Sequence, residues 1–194
     1  METGAMVWMA GGAPILLIIA VAVIYNDFVV RRRDVDRAWL ALEKLLRHRH
    51  DELLPHLIYL AKERMGADLP ILSDLMVARG RAMGAECLTN RGKAESALTR
   101  EVRRLFAFLK SYQDSLENRE MLRVVASLRE SESKIGAARR NYNTLVTKFN
   151  NRRDSFPYKL VALTMRVSEG EYFQTEETPQ ELIAVGQEFI PRRN

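Results

Sequence analysis

Three histidines, His48, His50 and His56, crowd one short stretch, and imidazole is the side chain readiest to bind a metal or move a proton near neutral pH. Ligands on one helix need spacings of three or four residues to share a face. The steps here are two and six, which spread the rings around the axis. His48 and His56 come nearest in angle, but they lie two turns apart with Pro55 before the second. The spacing predicts histidines facing water or lipid head groups, and no metal centre.

Other reactive residue types fare no better. Cys87 is the single cysteine, has no CxxC partner, and falls among Ala85, Glu86 and Leu88, where a small buried hydrophobe is expected. No glycine-rich phosphate loop, GxSxG elbow or HExxH pair occurs. The carboxylate pairs Asp34/Asp36, Glu52/Glu63 and Glu176/Glu177 fall on charged faces or in the C-terminal tail, where solvation explains them. The sequence therefore predicts no catalytic residue, no cofactor-binding residue and no metal ligand, and the chain reads as a non-enzyme. The unusual polar residues are those inside apolar stripes. Glu132 falls in phase with a core, Trp39 is flanked at helical spacing by Asp36 and Glu43, and Arg79 and Arg139 each follow an alanine on an inward face. Two readings stay open for these arginines: a bidentate arginine–carboxylate pair fixing helix register, or long side chains reaching out to water.

The elements that carry these residues begin with an uncharged run from Thr3 to Asn26, with its core at Ala5–Ile24. About 20 apolar residues span a hydrocarbon layer of roughly 30 Å. A cleaved signal peptide is the rival reading, but it wants a positive start and a small-x-small site after the apolar stretch. Here Glu2 precedes the run, and Ala20-Val21-Ala22 lies inside it. Arg31, Arg32, Arg33 and Arg37 follow the run, so the positive-inside rule predicts a single pass with the N-terminus outside and the large domain in the cytoplasm. A lone cysteine is consistent with that compartment. The arginines have two readings, a topology signal touching anionic lipid or a specific anionic-ligand site. Nucleic acid is not expected, because base-stacking aromatics are not interleaved with the charge and the net charge is only +5.

Beyond the run, apolar residues keep helical period. Phe28, Val35, Trp39, Leu42, Leu46, Leu53, Leu57 and Leu60 mark one long helix, bent near Asp51–Pro55 and ending at Gly66. A second helix from about Asp68 carries Ile71, Leu75, Ala78, Ala82 and Ala85, and Thr89-Asn90-Arg91-Gly92 reads as a turn. A third carries Leu98, Val102, Leu105, Leu109 and Tyr112, followed by a polar connection from Ser111 to Asn118. The fourth runs from Asn118 to Asp154 through Met121, Val125, Leu128, Ile135, Ala138, Tyr142, Leu145 and Phe149, and Phe156-Pro157 stops it. The fold class is all-α: an N-terminal transmembrane helix, then an antiparallel four-helix bundle with a long kinked first helix. Segments 1–25, 26–166 and 167–194 form the anchor, the bundle and a polar tail. Leu160–Met165 is a short apolar segment, the tail from Ser168 is loosely ordered, and Glu181–Phe189 is its one candidate helix. Trp39, as the largest knob of the seam, should be buried against the fourth helix, and Trp39→Ala should cost about 3–5 kcal/mol.

Together these pieces resemble the LemA family of bacterial membrane proteins. The resemblance runs through Tyr25-Asn26, Ala38-Trp39, Leu45-Leu46-Arg47, Asp51-Glu52-Leu53-Leu54-Pro55 and Ala78-Arg79. It is fullest from Glu132 through Ala138-Arg139, Tyr142-Asn143, Phe149-Asn150 and Phe156-Pro157 to Glu171-Tyr172-Phe173. The segment His56–Met65 departs from the family pattern, so nothing placed there in relatives transfers. The resemblance implies an N-terminal anchor in the bacterial inner membrane and a cytoplasmic helical bundle, with no reaction assigned. One branch builds magnetosome membranes, which implies membrane organisation as an alternative. Three functions follow as expectations: a membrane-anchored scaffold or adaptor with membrane or envelope protein partners, a lipid-organising protein, and, least supported, an enzyme without a recognised motif. Oligomeric state is left open.

Overall fold

The computed structural model describes residues 2–66, 69–110 and 119–175, and within them every regular element is helical and no strand occurs. Helix α1, Glu2–His48, passes directly into a π-helical turn, Arg49–Leu53, and then into α2, Leu54–Met65. Pro55 accounts for the widened turn. It has no N–H to give, so one carbonyl of the preceding turn must lose its donor. Leu54 N–H bonds the Arg49 carbonyl five residues back. In that register the carbonyl stranded by Pro55 is His50 rather than Asp51, the position expected from regular α spacing. Arg79 Nε donates to the His50 carbonyl at 2.7 Å and replaces the missing partner. Lys62 and Arg64 close α2, and Gly66 caps it at φ +94°, a backbone angle that favours glycine.

Helix α3, Pro70–Met83, packs along α4, Leu88–Lys110. Its inward face is Leu72, Leu75, Ala78 and Ala82, while Ile71 is half-buried and Ala85 lies past the helix end; Asp68 falls outside the described residues. Small residues on that face let the α4 backbone come close. One expectation fails here: Thr89–Gly92 is not a turn but part of the first turns of α4. Gly92 is required for proximity instead, since a Cβ on it would meet the Gln174 carbonyl oxygen at 1.9 Å. Tyr112 and the connection from Ser111 to Asn118 lie outside the described residues. Helix α5, Arg119–Asp154, buries Met121, Val125, Leu128, Ile135, Tyr142 and Phe149, with Ala138 and Leu145 half-buried. Leu57, Leu75, Leu98, Leu105 and Val125 belong to one apolar core to which α2, α3, α4 and α5 all contribute.

The chain divides into two compact units, Met1–Ala38 with Thr144–Glu171, and Trp39–Asn143 with Tyr172–Asn194. Within the first, Phe28 meets Phe149 and Tyr158 edge-on, at 6.2 and 5.6 Å between ring centres. Tyr158 opens a short helix α6, Tyr158–Thr164, closed by Arg166 in the left-handed region (φ 52°), with the Val167 N–H on the Ala162 carbonyl at 2.9 Å.

The segment after α6 corrects a second expectation. Up to Thr175 it is an ordered extended strap rather than a loose tail. In the first unit Asn150 Nδ2 donates to the Gly170 carbonyl at 3.0 Å, and the Gly170 N–H returns to Asn150 Oδ1 at 2.8 Å. Arg153 Nε adds a bond to the Val167 carbonyl at 3.0 Å. In the second unit Asn143 does the same with Phe173, at 3.1 and 3.0 Å. A carboxamide presents a donor and an acceptor side by side, so each asparagine pairs with an extended backbone much as a neighbouring strand would. The candidate helix Glu181–Phe189 lies outside the described residues.

Candidate functional site

The concentrated polar chemistry lies in the second unit, where the π-turn faces α4 and α5. Arg49 is 2% exposed and its guanidinium lies between two carboxylates. Its Nη1 donates to Glu132 Oε1 at 2.5 Å, and its Nη2 donates to Glu95 Oε2. His50, also buried, places Nε2 2.9 Å from Glu95 Oε1. A carboxylate accepts only, so this contact assigns the Nε2–H tautomer or the imidazolium. Among the described residues His50 Nδ1, Arg49 Nε and Ser131 Oγ are buried without a hydrogen-bond partner.

Burial alone would drive Glu95 towards its neutral acid, but the Arg49 charge, the His50 hydrogen bond and nearby Arg91 outweigh it, so its pKa lies below the ordinary value. Burial also opposes charge on Arg49, and the fields of Glu132 and Glu95 more than compensate, holding its pKa above the usual arginine value. Formal charge is one cation against two anions, and Arg91 and Arg139 supply positive field at the edge. Arg139 is half-buried, and burial followed by repulsion from Arg140 lowers its pKa against the pull of Glu132. The adjoining cavity, lined by Leu46, Ser96, Thr99, Ile135 and Phe173 with the charged residues, has a volume of about 30 Å³. That holds about one or two waters, not a substrate.

His50 is not solvated: it is buried against Glu95, because the π-turn brings residues 49 and 50 inward together. His48 and His56 are exposed, beside Glu52 at 3.0 Å and Glu120 at 3.1 Å. Cys87 is exposed rather than buried, since it sits in the link before α4. Arg79 neither spans two carboxylates nor reaches freely to water; it caps the His50 carbonyl and lies 3.7 Å from Asp51. Glu132 is the core charge expected, and its partner is Arg49. Trp39 is half-buried rather than buried as expected: its ring meets Tyr142 of α5 at 5.5 Å and Phe173 at 5.6 Å, with the Arg91 guanidinium 5.4 Å from its centre. In the first unit, Arg31 pairs with Asp27 at 2.8 Å, Arg32 with Asp36 at 3.4 Å and Arg37 with Asp34 at 3.4 Å, so three of the four arginines after the span are partnered along their own helix. Asp34 lies 3.4 Å from Arg37, while Glu176 and Glu177 fall outside the described residues.

The residues missed were Arg49 and Glu95, and a signal for them exists. Arg49 follows Leu42 and Leu46 at steps of four and three, and Glu95 precedes Leu98 and Val102 at three and four. Each is a charge in phase with an apolar stripe, as Glu132 is. Three such residues, one of them basic, predict one another.

These features define a class: an all-helical protein with a long apolar N-terminal helix and an ion cluster sealed inside its helical core. The sequence profile of the LemA family matches residues 38–186, and the chain belongs to that family. No curated protein matches it.

Proposed function

We propose that this chain is a membrane-anchored, non-enzymatic scaffold or adaptor at the cytoplasmic face of the bacterial inner membrane. The anchor is α1 through Ala5–Ile24, and the working part is an antiparallel four-helix bundle whose first helix bends at the π-turn. The observation that carries the reading is the exposure of Ile15 to Ile19, each more than half open with no protein face over it. A soluble core helix of that composition would be covered, and contiguous bare apolar surface marks a site meant for lipid or protein. The same helix continues unbroken to Phe28 and Val35, both buried, so cleavage after the apolar run would cut into folded structure. Arg31 to Arg33 follow the span and favour a cytoplasmic bundle.

The ion cluster supports a structural role. Its groups are turned on one another beside a cavity too small for a substrate, so it holds three helices in register instead of presenting reactive groups. Membrane or envelope proteins are the partners this reading expects. Affinity purification of the full chain from detergent should recover defined partners that a control ending at residue 38 does not. Identical recoveries from both would count against an adaptor.

A further inference from the structure

We propose that the short helix α6 is a second membrane contact, lying in the head-group layer of an anionic bilayer beside the end of α1. The proposal rests on α1 crossing the membrane, and everything else it uses lies within the first unit. Tyr158, the first residue of α6, packs edge-on against Phe28 at 5.6 Å. Arg152 locks the contact: its guanidinium lies 4.0 Å from the Tyr158 ring centre, its Nη2 donates to the Tyr158 hydroxyl at 2.6 Å, and its Nε lies 3.4 Å from Asp27 Oδ2. The start of α6 is thereby fixed at the level of Asp27 and Phe28. Phe28 lies four residues beyond Ile24, about 6 Å further along a helix. The head-group layer on each side of a bilayer is about 5–7 Å deep. So α6 starts within the head-group layer, towards its outer edge.

Its composition fits that depth. Val161 and Ala162 face inward and are buried. Leu160 and Leu163, three residues apart, form the opposite face and are 59% and 66% exposed, and Phe156, in the turn just before the helix, is 84% exposed. Met165 extends the patch, and on α1 Tyr25 is exposed one turn before Phe28. Exposed Lys159 and Arg166 flank these side chains, and no acidic residue occurs between Ser155 and Ser168. Bare apolar residues interspersed with Lys159 and Arg166, with the nearest acids in sequence outside the helix at Asp154 and Glu169, fit an interfacial helix, which buries its apolar side towards the acyl chains and sets its charges among phosphates. A second copy or a partner protein would also cover an apolar face. Lipid is favoured because the face is tied to the last turn of the membrane span.

The test uses the full chain in vesicles of phosphatidylcholine and phosphatidylglycerol. A fluorophore is attached at Leu163→Cys in a Cys87→Ser background, with the same fluorophore on native Cys87 as reference. Lipids carrying a quencher high on the acyl chain should quench the Leu163→Cys probe about threefold more than the Cys87 probe. Equal quenching at both sites would overturn the proposal. Quenching that is absent at high protein-to-lipid ratio and appears only when the protein is diluted would also overturn it, in favour of contact between copies. Alkaline washing separates the two readings. Protein that stays with the vesicles but shows no selective quenching sinks the α6 contact alone. Protein that leaves the vesicles sinks the anchor and the α6 contact together.

Discussion

Replacing Arg49 with methionine tests the ion cluster most severely. The side chain keeps similar length and apolar bulk but strands Glu95 and Glu132, whose side chains are 3% and 5% exposed. Taking up a proton at neutral pH instead of staying charged costs a carboxyl of ordinary pKa about 3.4 kcal/mol, from about 2.5 units at 1.36 kcal/mol each. Two such costs approach about 7 kcal/mol, reduced by whatever His50, Arg91 and Arg139 supply; breaking a buried pair by removing one partner typically costs about 3–5 kcal/mol. At about 2–4 °C per kcal/mol for a chain of this size, the midpoint should fall by roughly 6–20 °C. Thermal unfolding of the full chain in mild detergent, followed by circular dichroism, reads this directly. The sign of the pH effect is also fixed. Burial without a cation favours the protonated form of a carboxyl, so the variant should regain stability at low pH and lose it as pH rises. The gap between Arg49→Met and wild type should therefore narrow from pH 7 to pH 5. Adding Glu95→Gln and Glu132→Gln removes the stranded charge and should recover more than half of the loss. A midpoint within about 1 °C of wild type for Arg49→Met would refute the reasoning, because no buried ion pair loses its cation at so small a cost.

Further expectations follow from single contacts. Glu95 has a depressed pKa, so its contribution is complete above its ordinary value of 4.5 and is lost as pH falls below it; Glu95→Gln should flatten that acid limb in an unfolding series, and an unchanged limb would assign it to other carboxyls. Asn150→Ala strands the Gly170 N–H and carbonyl, at about 1–3 kcal/mol for each group left unsatisfied; faster proteolysis after Val167 should accompany it, and wild-type protection would mean the strap is held elsewhere. Gly92→Ala cannot keep both α4 and Gln174 in place, so a loss of about 1–3 kcal/mol is expected, with faster amide exchange near Gln174, and unaltered exchange would refute the close approach.

Much of the fold is legible because apolar period survives tertiary context. The end of α5 at Asp154 is legible from its stripe and from Phe156-Pro157, and the end of α2 from Lys62, Arg64 and Gly66. The site was less legible. Helical-wheel spacing assumes a constant turn, and a π-turn breaks that assumption at the residues that matter, so His50 was read as facing water. Thr89–Gly92 has turn composition, yet its glycine serves a chain arriving from position 174, which no local window contains. Asn143 and Asn150 were visible as motif residues, but a carboxamide pairing with backbone names its partner only once the strap is placed. Arg49 and Glu95 could have been found by asking which charges keep an apolar phase.

The central claim is an anchored bundle on the cytoplasmic side, and Cys87, the single cysteine and an exposed one, reports on it directly. The measurement is labelling of Cys87 by a membrane-impermeant maleimide in sealed bacterial inner-membrane vesicles of both orientations. The account predicts that Cys87 reacts in inside-out vesicles and is protected in right-side-out ones until detergent is added. Labelling in right-side-out vesicles alone would place the bundle on the other face, and protein recovered outside the vesicle pellet would contradict the anchor.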